Sequence, residues 1–485
     1  MFRTLCRIGL ILSSLVLLAS LARAQSTTSG SQQPLPPISP LGPDKTVDGP
    51  VTSGDSSAGG DQQLVADSRP LAGVQELTLG SSANARNFLL PSFSVLTQVG
   101  TNPFTSSSST HAGTLSSSFV TGRLGLNHIS ARSELLLDYI GGASFSNDPT
   151  LGNSLIQAFD VSETIRSGRW SVLFGDHFSY LSSSPFGFGS VGGLKNLGVG
   201  LGNGVGSSPG ISSSFSPGGS VYIDGVPRLE NATVGQTTYA LSHRSSLTFA
   251  GSYGILNFMN SPLQDSTVTT FQGGYSYLLS RLSTVSVFYR FDDFGFTNLA
   301  QSIRDHSIQG AFARRITGRL SWEIGGGPSI QDYQRPLAGS GVVVSPTVFT
   351  GLKYRFRYTG IGFSYMHGLT NGSGVLRGAE TDNFTGLVTR SFGKYWDSTI
   401  DAGYSRNQGV RQTSATALLG SPNTWFATGR ISRRFVAYGA FFISYNASGQ
   451  SSLASLCTLP GCRFSSTVHT ASLGYTWGLR PVVLE

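Results

Sequence analysis

The sequence predicts an all-β fold: a transmembrane antiparallel up-and-down β-barrel of about 18 strands, with 16 as the alternative count. Three observations predict it. From Phe88 to the end of the chain, apolar or aromatic side chains alternate with small or polar ones in short segments. The connections between these segments are by turns short and long. The chain also has 62 glycines and only 12% charged residues, against about 25% charged in soluble domains.

The alternation is clearest from Thr467 to Arg480. His469, Ala471, Leu473, Tyr475, Trp477 and Leu479 fall on one face, and Thr470, Ser472, Gly474, Thr476, Gly478 and Arg480 on the other. A strand sends successive side chains to opposite faces, so one face suits lipid and the other water. Only a closed barrel can use such strands inside a bilayer, because lipid offers no partner to an unpaired backbone edge.

Taken in order, the chain opens with Arg3 and Arg7, an apolar run from Ile8 to Leu21, and Ala22-Arg23-Ala24. A basic start, an apolar centre and a small-x-small site are the parts of a signal peptide, so residues 1–24 are expected to be removed after Ala24. The run is short of the roughly 20 residues that a membrane anchor needs. Cys6 lies inside this segment and not at its cleavage site, so no lipoprotein is indicated. Loss of the three arginines 3, 7 and 23 takes the formal charge from +8 to +5. The remaining basic residues are scattered, which argues against nucleic-acid binding.

Residues 25–80 are rich in Ser, Gly, Pro and Gln, as in "SQQPLPPISPLGPDK", without apolar periodicity, and read as a disordered leader. Residues 81–485 form the expected barrel. Eighteen strand candidates centre near Phe93, Leu124, Leu137, Val161, Leu173, Tyr239, Tyr253, Gly274, Val287, Phe312, Ile324, Gly351, Phe363, Leu387, Ile400, Gly429, Phe441 and Gly474. Pro91 in the first of them leaves its pairing open. Short turns are expected at Ser130-Ala131, Ser167-Gly168, Arg244-Ser245, Arg281-Leu282, Thr317-Gly318, Tyr358-Thr359, Gly393-Lys394 and Arg434-Phe435. Longer loops alternate with them, the longest at 182–230. A soluble sandwich or propeller shares the alternation of side chains but not two connection classes in strict succession.

If the apolar face meets lipid, the other face is predicted residue by residue. Arg123, Asn127, Glu134 and Asp138 point inward about the first turn, with Arg123 opposite Asp138 and Asn127 opposite Glu134. Lys353, Arg355 and Arg357 share the inner face of the twelfth strand, and Glu323, Asp397, Asp401, Arg430 and Arg434 lie nearby. These charges fit two readings. They form cross-strand ion pairs that satisfy the wall, or a transverse field that steers solutes through a pore. Adjacent strands offer no obvious acidic candidate for Arg355 and Arg357, which makes them the expected lining of a weakly anion-preferring passage. Barrels this wide hold water unless something enters them. The loop "GFGSVGGLKNLGVGLGNGVGSSPG" either folds inward or stays external. It lacks the GK[ST] ending of a phosphate-binding loop.

In the last long loop, Cys457 and Cys462 bracket "TLPG", and in an exported chain they are expected to form a local disulfide. No motif calls for a cofactor or metal. His177-Phe178-Ser179 has the spacing that a barrel lipase would need, but such pairs arise by chance in a Ser-rich chain, and no enzyme is expected.

The last strand carries a further signal. Ser472-x-Gly474-x-x-Trp477-x-Leu479 resembles the C-terminal β-signal by which outer-membrane proteins are recognised for insertion, although the chain continues through "RPVVLE". Together with the export signal and the strand rhythm, it makes the chain similar to porin-like bacterial outer-membrane β-barrels. The resemblance implies short turns, both termini and the leader on the periplasmic side, and long loops outside. It implies as partners outer-membrane lipid, the barrel-assembly machinery through the last strand, and small solutes, with no nucleic acid. It also implies that loop 182–230 sits where porins carry the loop that narrows the pore. The expected function is passive passage of small hydrophilic solutes. The alternative is a structural, adhesive or export-associated barrel acting through its leader or loops.

Overall fold

A computed structural model describes residues 87–101, 114–147, 153–181, 227–259, 264–296, 301–317, 319–334, 341–370, 378–393, 395–410, 423–436, 439–451, 465–479 and 482–483. The expected signal peptide, the leader, most of the 182–230 loop, Cys457 and Cys462 lie outside the described residues.

The strands are β1 (Phe88–Thr101), β2 (Thr114–Ile129), β3 (Ser133–Ser146), β4 (Ser154–Ser167), β5 (Trp170–Leu181), β6 (Arg228–Ala240), β7 (Ser245–Phe258), β8 (Ser266–Ser280) and β9 (Ser283–Phe296). They continue as β10 (Gln301–Arg315), β11 (Leu320–Gln334), β12 (Val342–Arg355), β13 (Thr359–Thr370), β14 (Ala379–Phe392), β15 (Trp396–Gly409), β16 (Asn423–Val436), β17 (Gly439–Ser451), β18 (Ser465–Gly478) and the two-residue β19 (Val482–Val483). Each of the eighteen expected centres falls in its own long strand. Each of the eighteen long strands pairs antiparallel with its long neighbours in sequence, and β1 closes on β18, leaving no open edge among them. Among the described residues, no helix is long and apolar enough to cross a membrane, which says nothing against crossing by strands.

The seam resolves two local puzzles. β1 meets β18 from Ser92↔Gly478 to Gly100↔Thr470, and the register then slips by one residue, to Phe88↔Val483 and Leu89↔Val482. The tail after the last strand thus extends the seam as β19. Pro91 sits at the slip, where its carbonyl accepts from the Leu479 N–H at 2.9 Å. A strand residue's N–H and C=O point to the same side, so the N–H that proline lacks falls where the ladder is already interrupted.

Several turns differ from the expected ones. The loop between β2 and β3 has three residues, closed by the Ser130 N–H donating to the Ser133 carbonyl at 2.8 Å. The register there moves by two, so Arg123 faces Ile140 and Asn127 faces Leu136, while Asp138 and Glu134 face Gly125 and Ile129. A shift of two leaves every side chain on its predicted face. β16 runs on to Val436, past the expected turn at Arg434-Phe435, and an irregularity between Arg434 and Val436 absorbs the extra residue. β12 ends at Arg355, which leaves Arg357 in the turn beyond it. β6 begins at Arg228, so the long third loop ends before residue 230. Gly168 and Gly393 hold φ of 57° and 65° in their turns, a conformation that side chains with a Cβ resist.

The abundant glycine has a packing reason. In six directly opposed cross-strand pairs an aromatic ring lies within 4 Å of where the glycine's Cβ would stand: Phe442 and Gly474, Phe349 and Gly325, Phe426 and Gly403, Trp425 and Gly449, Phe249 and Gly273, and Phe271 and Gly251. A Cβ at Gly474 would come within 2.2 Å of the Phe442 ring, and one at Gly325 within 2.3 Å of Phe349. The ring lies flat over the space that a side chain would fill and covers backbone on the next strand.

The outer face carries the exposed apolar residues, such as Phe249 at 60% and Ile400 at 59% exposure, which only lipid can cover without aggregation. Glu163 on β4 and Asp176 on β5 sit some way into this face, whereas the charges of β10 lie toward its ends. On β10, Arg304 and Arg314 bracket Ile308, Gly310 and Phe312. Ten residues at ~3.3 Å each, tilted by about 40°, span about 25 Å, the height of the apolar band of a membrane barrel. Near the short-turn end Trp170 packs against Tyr239 at 4.5 Å and Phe312 against Trp322 at 6.4 Å, as an aromatic girdle does.

Candidate functional site

The inner face is rich in hydroxyl, amide and charged groups, and it is the surface on which a solute would act. Arg123 reaches diagonally to Asp138 in a bidentate pair, Nε to Oδ1 and Nη2 to Oδ2, both 2.7 Å. A long side chain spans the diagonal easily, so the two-residue register shift preserves the ion pair while changing its geometry. Glu134, instead of meeting Asn127, accepts from Arg166 Nη2 at 3.3 Å. Asp397 accepts from Ser391 Oγ at 2.8 Å and from Arg434 Nη2 at 3.4 Å. Arg430 lies over the Phe442 ring at 4.1 Å, and Asp401, between Leu387 and Thr428 in the ladder, is also engaged by neighbours.

Glu323 folds over Gly351, where a Cβ would stand 2.6 Å from Oε1, and Lys353 follows two residues on along the same face. Lys353 is exposed at the short-turn end of β12. Arg355, for which the sequence offered no acid, is not without a partner in the folded chain. Arg357 lies beyond the strand in the turn, its guanidinium 5.0 Å above the Tyr358 ring. Ser179 is inward and buried, and the side chain of His177 lies outside the described residues. No group of three or more His, Cys, Asp or Glu among the described residues could hold a metal ion.

Besides Glu230 on β6, which is 1% exposed and lies 3.1 Å from Arg228, deeply buried charges stand on β9 and β10. On β9, Arg290 Nε donates to Asp292 Oδ2 at 2.8 Å, and Thr270 on β8 donates to Oδ1 at 2.5 Å. The two charged side chains are only 7% and 6% exposed, and Arg290 Nη2 has no hydrogen-bond partner. On β10, Asp305 accepts from Ser329. Arg290, Asp292, Asp305, Ser307 and Gln309 line a partly open recess together with Phe349, Met366 and Gly368. At the long-loop end of β7, outside the spanning segments, Asp265 caps the strand by accepting from the Phe258 N–H at 2.8 Å and Asn257 Nδ2 at 3.0 Å. Burial pushes its carboxyl above the ordinary range against the opposing effect of the Phe258 bond.

Beside this polar recess the inner wall is apolar. Val234, Leu256, Val268, Phe294, Phe296, Ile303, Tyr333 and Leu369 form one buried cluster, with Leu256 and Phe294 at 0% exposure. Contacts cross the arc as well as follow it. Gln331 on β11 reaches Glu380 on β14 at 3.5 Å, and a Cβ at Gly378 would meet Ile303 Cδ1 on β10 at 2.5 Å. Apolar groups carried by strands up to four apart, β10 and the start of β14, therefore meet on the inner side of this arc.

The signal for Arg290 and Asp292 was present but ambiguous. In "VFYRFDDFGF" both faces carry aromatics, and the adjacent Asp292 and Asp293 go one inward and one outward. The alternation rule has no apolar face to choose there.

No protein-family model and no curated protein matches the chain. Among solved structures, Pseudomonas aeruginosa OpdL is similar with a TM-score of 0.41 at 10% identity, over 81% of this chain and 98% of that one. The outer membrane protein OpdK of the same organism gives the same four values. So does P. aeruginosa OccK2 (OpdF), solved in complex with glucuronate. At this level of identity the likeness concerns architecture alone.

Proposed function

We propose that the chain is an outer-membrane channel that passes small hydrophilic solutes passively. The observation that carries this reading is the division of one closed wall into an apolar outer face and an inner face of hydroxyl and charged groups such as Arg123, Asp138, Lys353 and Asp397. Such an inner surface gives a polar solute hydrogen-bond partners in place of its lost water. Short turns and both termini are then periplasmic and the long loops external. Purified, folded protein in planar bilayers is expected to give discrete conductance steps, and a silent bilayer would overturn the reading.

Lys353 and Arg355 near the short-turn mouth are proposed to favour anions weakly. The pair of changes Lys353→Gln and Arg355→Gln is expected to bring the anion-to-cation permeability ratio, read from reversal potentials in a salt gradient, at least halfway to unity. An unchanged ratio would remove these residues from the passage. Deleting residues 192–217 is expected to raise single-channel conductance if loop 182–230 narrows the pore, and to leave it unchanged if the loop is external.

The packed cluster around Phe294 and Leu256 favours a second reading, a structural or export-associated barrel that acts through its leader or loops. Co-purification of an envelope complex that is lost on removing residues 25–80 would support it.

A further inference from the structure

We propose that the outer wall of β12–β16 at the short-turn end binds the phosphate of an anionic phospholipid through Arg357, Arg390 and Arg433. The proposal concerns the lipid-facing surface and stands whether or not the lumen conducts.

All three guanidiniums lie against aromatic rings of the girdle. Arg357 is 5.0 Å from Tyr358, Arg390 is 5.0 Å from Phe392, and Arg433 is 5.1 Å from Trp396 and 5.2 Å from Phe435. The ladder places Phe392, Trp396 and Arg433 abreast on β14, β15 and β16, with Arg390 two residues further into the wall. A guanidinium laid over a ring keeps its N–H donors pointing sideways, in the planar fork that suits phosphate oxygens. Aromatic side chains of this kind sit at headgroup level, which sets the arginines at the depth of the glycerophosphate.

The distribution of acids supplies the selectivity. At the long-loop end of the same outer face, Arg406 stands opposite Asp382, and Arg304 stands opposite Asp293 and Asp332. At the short-turn end, no acidic residue faces outward among the described residues of β12–β17, since Asp397 points inward to Arg434. The arginines there are matched by rings instead of carboxylates. A zwitterionic headgroup would bring an ammonium that meets no acid at this surface, whereas a phosphatidylglycerol-type headgroup brings only the phosphate and hydroxyls.

The test uses the full mature chain folded into phosphatidylcholine vesicles containing trace spin-labelled phosphatidylglycerol, phosphatidylcholine or phosphatidylethanolamine. The motionally restricted fraction reads the relative association. Phosphatidylglycerol is expected to be preferred over phosphatidylcholine by about fivefold or more, which is the ~1 kcal/mol of headgroup attraction that a single surface arginine supplies. Arg357→Gln with Arg390→Gln and Arg433→Gln is expected to bring that ratio close to one, and the same three positions as Lys to retain most of it. Arg304→Gln with Arg406→Gln should leave it intact. Should the triple Gln variant fail to fold, Arg390→Gln and Arg433→Gln singly are each expected to lower the ratio at least twofold. Four results would overturn the proposal: a preference that survives the Gln changes, an equal loss in the Arg304/Arg406 variant, phosphatidylethanolamine held as well as phosphatidylglycerol, or displacement of the lipid by inorganic phosphate at matched ionic strength.

Discussion

Replacing Gly474 by valine is expected to destabilise the folded barrel by about 2–3 kcal/mol, as urea unfolding in lipid vesicles followed by tryptophan fluorescence would measure. The new Cβ would stand 2.2 Å from the Phe442 ring, which is 1% exposed and cannot swing away into solvent. Phe442 also joins Leu96, Phe119 and Ile156 in a buried cluster next to the β1–β18 seam, so its displacement would disturb the strands that close the barrel. Phe442→Ala alone is expected to cost about 3–5 kcal/mol through the cavity it leaves. If the clash is the cause, the double variant should be more stable than the two single losses predict, with a coupling of at least about 1 kcal/mol. Additive losses would mean that the cost at Gly474 does not arise from a clash with the Phe442 ring.

Breaking the buried pair on β9 is expected to be as costly. Asp292→Ala should destabilise by about 3 kcal/mol or more, because Arg290 would remain almost fully buried without its counter-charge. Asp305 lines the same recess and limits the loss without replacing the lost hydrogen bond. Replacing both partners together, Arg290→Met with Asp292→Leu, should fall within about 1 kcal/mol of the parent, since no charge is then left unmatched in a poorly solvated place. A mild effect of Asp292→Ala would show that water reaches Arg290 freely. That outcome would also bear on the lumen, because it would make this part of the inner wall wet.

The legible parts of the fold were those governed by local chemistry. Alternation located all eighteen long strands, and it assigned Arg123, Glu134, Asp138, Glu323, Lys353 and Asp397 to the inner face, because side-chain direction in a strand depends only on residue parity. It missed Arg290 and Asp292, where aromatics on both faces of β9 erase the contrast between them. It placed Arg357 on a strand that ends two residues earlier, because nothing in "KYRFRYTG" marks which residue makes the last ladder bond. The role of Gly474 was visible only as a motif position; that it seats Phe442 depends on which residue lies across the ladder.

What the sequence by itself determined is therefore the wall: its strands, their order, the two connection classes and the face of nearly every side chain. The tertiary structure alone decided the register between β2 and β3, the slip at Pro91 and Leu479, and the meeting of Ile303 with Gly378 across the arc. The physical reason is that parity is unchanged when one strand slides past another by two residues. The pattern along a strand therefore cannot report its register, which turn geometry and closure of the whole ring set together.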